Sequence, residues 1–196
     1  MSLSPPAARR HLHTRSIVCE GFRRDDGLWD IEARIVDTKT YAYEEPDRGL
    51  RKAGDPVHHM AVRLTLDSAM VVRAIEVGMP ETPYATCLTA IPAFQGLVGK
   101  KVGQGWRRAV NDCVGGTAGC THVRELLFPM ATVAFQTLGG WKEKEDAAEG
   151  LEQAPTNASG RPYFLDGCKS WATDGPVVAR LHPQFAVRRQ PTAEER

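Results

Sequence analysis

In LWDIEARIVD, residues 28–37, apolar and polar residues alternate from Trp29 to Ile35. Trp29, Ile31, Ala33 and Ile35 fall on one side of an extended chain, and Asp30, Glu32 and Arg34 on the other. A helix would scatter these apolar positions around its circumference, whereas the two-residue period of a strand gathers them. The stretch reads as a half-buried strand. RSIVCEGFRR (15–24) precedes it across Asp25-Asp26-Gly27, a tight-turn signal. A loop of turn and charged residues runs on to Pro56. VHHMAVRLTL (57–66) then sets His58, Met60, Val62 and Leu64 on one face, and Asp67-Ser68 turns the chain into MVVRAIEVGM (70–79). Short connections between such runs predict an antiparallel meander of about four strands.

Near residue 80 the period changes from two to helical. Thr82-Pro83 is a helix start, with a capping hydroxyl followed by a ring already set for the first turn. This helix is expected to reach about Val98, with a kink at Pro92 and a left-handed stop at Gly99. A shorter helix is expected from Trp106 to Asp112. In VRELLFPMATVAFQTL (123–138), Val123, Leu126, Leu127, Met130, Ala131 and Ala134 form an apolar stripe, and Pro129 is a bend point. The fold class is α+β, an antiparallel sheet packed against a helical C-terminal half. The expected organisation is a flexible leader over 1–14, a core domain over 15–140 and a polar linker or loop over 141–162. A segment over 163–184 is expected to pack on the core, ahead of a tail over 185–196.

The chain has 196 residues, a formal net charge of +1, 42% hydrophobic and 25% charged residues. These are ordinary values for a domain with its own core. So balanced a charge offers no field to recruit nucleic acid. No stretch reaches the roughly 18 apolar residues of a membrane span, and the first residues lack the apolar centre of a signal peptide. The expected compartment is the cytoplasm, where thiols stay reduced. Five cysteines, Cys19, Cys87, Cys113, Cys120 and Cys168, are an odd number without regular spacing, which argues against a disulfide framework.

GGTAGCTHVRELL (115–127) holds the densest chemistry. Cys120 stands at a helix start, where unpaired N–H groups favour thiolate over thiol, and His122 falls in the same first turn. Cys87 occupies the early turns of the helix expected to start at Thr82. Cys168, in the returning tail segment, is available to complete a cluster. His58 lies on the apolar face of its strand, where an imidazole needs a partner. Candidate catalytic residues are Cys120, His122 and His58. Candidate metal ligands are Cys87, Cys120, His122 and Cys168, and thiolates with imidazole suit Zn or Fe. Cys19 and Cys113 read as structural. The sequence has no dinucleotide fingerprint, phosphate loop, nucleophile elbow or zinc-protease motif.

RSIVCEGFRRDDGLWDIEARIVDTKTY (15–41), HHMAVRLTLD (58–67) and GCTHVRELL (119–127) with AFQT (134–137) resemble the bacterial domain of unknown function 2889 family. The resemblance covers roughly residues 10 to 140, with an echo at LDGCKSW (165–171), and implies no activity. A fainter likeness joins CLTAIPAFQGLVGKKV (87–102) and GCTHVRELLFPMATVAF (119–135) to the iron–sulfur cluster scaffold proteins. That likeness implies Cys87 and Cys120 as ligands, with His122 as a third, although in those scaffolds the histidine precedes the cysteine. Three readings remain open. One is a small enzyme with a thiolate/imidazole metal site between sheet and helices, acting on a small organic substrate. Another is a non-enzymatic metal or iron–sulfur carrier serving a metal-accepting protein. The last is an accessory subunit whose cysteines are core. An oligomer is compatible with all of them.

Overall fold

The computed structural model describes residues 3–148, 160–162 and 164–187. The alternating stretch is β2 (Trp29–Lys39), the second strand of a four-stranded antiparallel sheet. Its neighbours are β1 (His13–Arg23) and β5 (Pro56–Leu66), and β6 (Val72–Glu81) completes the order β1-β2-β5-β6. The meander expected from the sequence is present. The connection from β2 to β5, read as plain loop, also holds a ribbon of two short strands, β3 (Tyr43–Glu45) and β4 (Gly49–Arg51).

Register assembles the core in rows across the sheet. Trp29 pairs with Leu66, Ile31 with Leu64, Ala33 with Val62 and Ile35 with Met60, and all eight are buried. Cys19 and Ile17 extend two of these rows into β1. The opposite face carries Glu32, Arg63 and Glu76, with Arg63 bonded to both acids at 2.6 and 3.2 Å. Such exposed pairs contribute at most about 1 kcal/mol each.

Helices cover the apolar face. Among the described residues, the long one is α2 (Thr121–Ala148), which follows α1 (Trp106–Val114). Val123, Leu126, Leu127, Met130, Ala134 and Leu138 of α2 are buried at helical spacing, so the stripe read from the sequence faces the core. Ala131 is half-buried. Pro129 lies inside α2 without ending it. The Trp106 indole donates to the Leu127 carbonyl at 2.8 Å, which satisfies its buried N–H and ties α1 to α2.

The segment after Thr82 differs from expectation. It is a 3-10 helix over Ala85–Leu97, its cap residue is Tyr84, and no side chain caps it. The Thr82 hydroxyl donates to the Tyr84 carbonyl at 3.1 Å, so it turns the chain instead of accepting an amide. Pro92 inside the segment has no N–H for an α-helical bond. Gly99, with φ +83°, ends the helical course in a left-handed conformation as expected. The returning chain then bonds to the start of β6 through Gly99 N–H to the Val72 carbonyl (2.8 Å) and Val72 N–H to the Lys100 carbonyl (2.9 Å).

The chain divides into two units, Met1–Leu138 and Gly139–Arg196. Residues 141–148, whose polar composition suggested a linker, continue α2. Residues 149–159 of that stretch and 188–196 of the expected tail lie outside the described residues. The second unit holds α3 (Pro176–Leu181) and a cluster of Phe164, Trp171 and His182, with ring centroids 4.4–5.8 Å apart. Asp166 braces its turn by accepting the Thr173 amide at 2.9 Å. Among the described residues no helix is long and apolar enough to cross a membrane.

α2 passes so close to β1 that only glycine fits beneath it. A Cβ at Gly21 would lie 1.9 Å from Thr137 Oγ1 and 2.8 Å from Thr137 Cβ. Gly21→Ala is expected to destabilise the protein by about 1–3 kcal/mol, read from urea unfolding. Gly78→Ala, where a Cβ meets nothing within 4 Å, is expected to stay within about 0.5 kcal/mol of wild type. Equal behaviour of the two variants would refute the close approach.

Candidate functional site

The alternation that buries Ile35 continues for one more step, to Asp37. Its carboxylate sits on the core face and the residue is 1% exposed. Sheet register supplies its partners, because Arg15 of β1 lies opposite it on one side and His58 of β5 on the other. Arg15 donates from Nε to Oδ1 and from Nη2 to Oδ2, both at 2.7 Å. His58 Nδ1 is 2.9 Å from Oδ2, and His13 Nε2 is 3.4 Å from Oδ1. The β2–β5 ladder shifts register between Asp37 and Thr38. Such irregularities bend a strand and re-aim side chains.

α2 delivers the remaining groups. His122, in its first turn, stacks over His58 with ring centroids 3.7 Å apart and a tilt of 31°. His122 Nε2 is 4.0 Å from Asp37 Oδ2, and its Nδ1 is 4.0 Å from Cys120 Sγ. Cys120 Sγ also lies 3.8 Å from Met60 Sδ. The glycine-rich approach to this helix start folds back on α1. A Cβ at Gly119 would be 2.5 Å from the Val114 carbonyl oxygen. The close approach read from these glycines is therefore to the chain's own backbone.

The β3–β4 ribbon closes the same end of the sheet. Arg48 binds Glu45, reaches Glu81 at 2.7 Å and donates to the Val57 carbonyl at 3.1 Å, next to His58. Buried Glu45 thereby has its counter-ion, and the Arg48 cation adds to what disfavours a charged His58.

Burial by itself would raise the Asp37 carboxyl. The Arg15 fork, and then His58, outweigh it and hold the group below its ordinary value. Burial lowers His58, partly offset by Asp37. Burial also lowers His122, with further push from His58 and Arg15. Both rings therefore favour the neutral form, which has a lone pair to give a metal. One donor atom each from Asp37, His58 and His122 lie within 4.8 Å of one another, and this is the one such trio among the described residues.

Of the candidates read from the sequence, His58 and His122 meet, and Cys120 borders His122. Cys87 and Cys168 are not in the trio. Cys87 is half-buried against the core in the 3-10 helix, and its N–H is already bonded to the Tyr84 carbonyl at 3.0 Å. It thus lacks the α-helix start that made it a candidate. Cys168 is exposed in the second unit. Cys113 donates to the Gly96 carbonyl at 3.3 Å, a structural bond, and Cys19 packs against the core. Asp37 and Arg15 were not among the candidates. The signal for Asp37 was present, as a carboxylate in step with four buried apolar residues.

A family model described as "Protein of unknown function (DUF2889)" matches residues 13–136. The chain belongs to this family. The DUF2889 span begins at the first residue of β1 and ends within α2, so it contains Arg15, Asp37, His58, Cys120 and His122, while Cys168 lies beyond it. No curated protein and no solved structure matches the chain.

The shifted groups set an acid limit on the metal-free protein. Asp37, depressed below 3.8, contributes stability above that value and loses it as pH falls through its lower folded value. His58 and His122 are depressed below 6.5. From 6.5 downward the unfolded chain takes up protons that the folded site excludes, so stability again falls with pH. Urea unfolding at a series of pH values is expected to show stability falling as the pH drops below about 6.5. His122→Gln is expected to flatten that limb, and an unchanged slope in this variant would refute the assignment.

Proposed function

We propose that the protein is a metal-dependent enzyme in which Asp37, His58 and His122 hold one Zn(II) or Fe(II) ion, with Cys120 beside it, acting on a small organic substrate. The convergence of a carboxylate and two imidazoles carries this reading. Donors on a tetrahedral ion at about 2.0–2.1 Å stand roughly 3.3 Å apart. The separations of 2.9 Å for His58 and 4.0 Å for His122 from Asp37 Oδ2 bracket that value. An arriving ion would replace the Asp37–His58 hydrogen bond and splay the two stacked rings.

Two imidazoles with one carboxylate suit Zn(II) and Fe(II), and three protein donors leave a position open for substrate or water. Bound there, the ion would polarise a substrate oxygen or acidify a water molecule. The residues' own share is to fix the donors: Arg15 orients the Asp37 carboxylate, and Cys120 borders the far nitrogen of His122. An iron–sulfur carrier would draw on thiolates, and the trio has none, which favours the enzyme over the carrier.

A second reading has its own observation. Cys120 Sγ, His122 and Asp37 stand in sequence, with 4.0 Å from Sγ to Nδ1 and 4.0 Å from Nε2 to Oδ2. Thiol, imidazole and carboxylate in that order are the parts of a nucleophilic site. Elemental analysis of protein purified without a histidine tag separates the two. Under the metal reading, about one Zn or Fe per chain is expected, and His58→Ala, His122→Ala and Asp37→Ala are each expected to lose metal affinity by more than roughly 100-fold, since even outer partners are worth 10–100-fold. Cys87→Ser and Cys168→Ser are expected to keep the metal. Metal-free protein that reacts rapidly with iodoacetamide at Cys120, and slowly in His122→Ala, would instead support the nucleophile.

A further inference from the structure

Arg15 is permanently cationic, its side chain is 40% exposed, and it spends two of its donors on a carboxylate that the two histidines also approach. Coordinating imidazoles are neutral. Asp37 and Arg15 therefore cancel, and a divalent ion would raise the site to two positive charges. The nearby acids do not relieve this. Glu45 and Glu81 are engaged by two arginines, Arg48 on both and Arg51 at 3.5 Å from Glu81, and Glu125 is bonded to Arg124 at 3.1 Å. A partly buried site with that surplus favours an anion in its open position.

The contacts show how Arg15 is placed to take part. Asp37 Oδ2 is the oxygen that faces both imidazoles, and Oδ1 faces Arg15 Nε and His13. A cation on Oδ2 would displace Arg15 Nη2 from it while Nε stays on Oδ1. The guanidinium would then pivot on Nε with its terminal nitrogens free, and that pair matches a second carboxylate. Nη2 is now 2.7 Å from Oδ2, so the freed donors and the ion would lie within the length of one short organic acid. The exposed side of the site is the side of Arg15 and His13, whose side chains are 40% and 49% exposed, against 14% for His58.

We propose that the substrate of this site is a small carboxylate, held by Arg15 through its acid group and by the metal through a neighbouring oxygen, as in a 2-hydroxy or 2-oxo acid. The proposal rests on the metal reading above. It assigns Arg15 as a substrate-binding residue that selects for negative charge, a role distinct from holding the metal.

The test uses the full chain loaded with Co(II), whose visible spectrum reports ligands entering its coordination sphere. Lactate and its neutral analogue lactamide are titrated in turn, and cobalt per chain is measured on the same samples. Lactate is expected to bind at least roughly tenfold tighter than lactamide, the scale of one charge-assisted fork. Arg15→Gln, filled with cobalt at a Co(II) excess that offsets the roughly 10–100-fold weaker hold expected when Asp37 loses its Arg15 partner, is expected to lose the preference, and Arg15→Lys to retain part of it. Equal affinities in the wild type, or a preference that survives Arg15→Gln, would overturn the proposal while leaving the metal site standing. An Arg15→Gln variant that takes up no cobalt even at that excess would overturn it too, because Arg15 would then act on the site only through Asp37. Wild-type protein that takes up no cobalt would remove the metal reading, and this proposal with it.

Discussion

The buried carboxylate of Asp37 is the constraint on which the sheet end depends. A charge that is 1% exposed is tolerable only when its oxygens are satisfied. Here the partners come from both neighbouring strands and from the helix above, so the requirement acts on three elements at once. A slip of one residue in β2 would turn Asp37 to the outer face and its apolar neighbours with it. The Arg15–Asp37–His58 row therefore fixes register together with the apolar rows behind it. Such pairs add little net stability, but removing one partner leaves an uncompensated charge that costs about 3–5 kcal/mol. Their value is in specifying one arrangement.

The same geometry sets the site apart from the rest of the sheet. Four of the five core-facing rows are apolar where β2 meets β5, from Trp29–Leu66 to Ile35–Met60, and the row at the open end is ionic. α2 covers the apolar rows with its stripe, and its first turn reaches the ionic one. His122 directly precedes Val123, the first buried residue of that stripe, so helix packing and histidine placement are a single event. The tight loop through Gly119 starts α2 at that place, and the Gly21–Thr137 approach fixes where its far part crosses β1.

Part of the site was legible in the sequence. His58 stood on an apolar face, and His122 with Cys120 opened a helix. Asp37 was harder to see, because reading alternation stops naturally at the last apolar residue, and a carboxylate after Ile35 looks like the strand's end. Arg15 carried no local signal at all, since β1 is an edge strand exposed along most of its length. Cys87 was drawn in by its expected place at an α-helix start, and a 3-10 helix with Pro92 inside it offers no such start.

The sequence by itself determined the fold class, the order of the four main strands ahead of the helices, and the apolar faces of β2, β5 and α2. These follow from periodicity, which is a property of consecutive residues and survives without any knowledge of what packs against them. Only the tertiary structure decided which polar groups meet. Residues 15, 37, 58 and 122 come from four separate elements, and their encounter depends on strand register, on a local register shift beside Asp37 and on where α2 begins. Those are relations between distant segments, set by packing the whole sheet and its helices at once, and no window along the chain contains them.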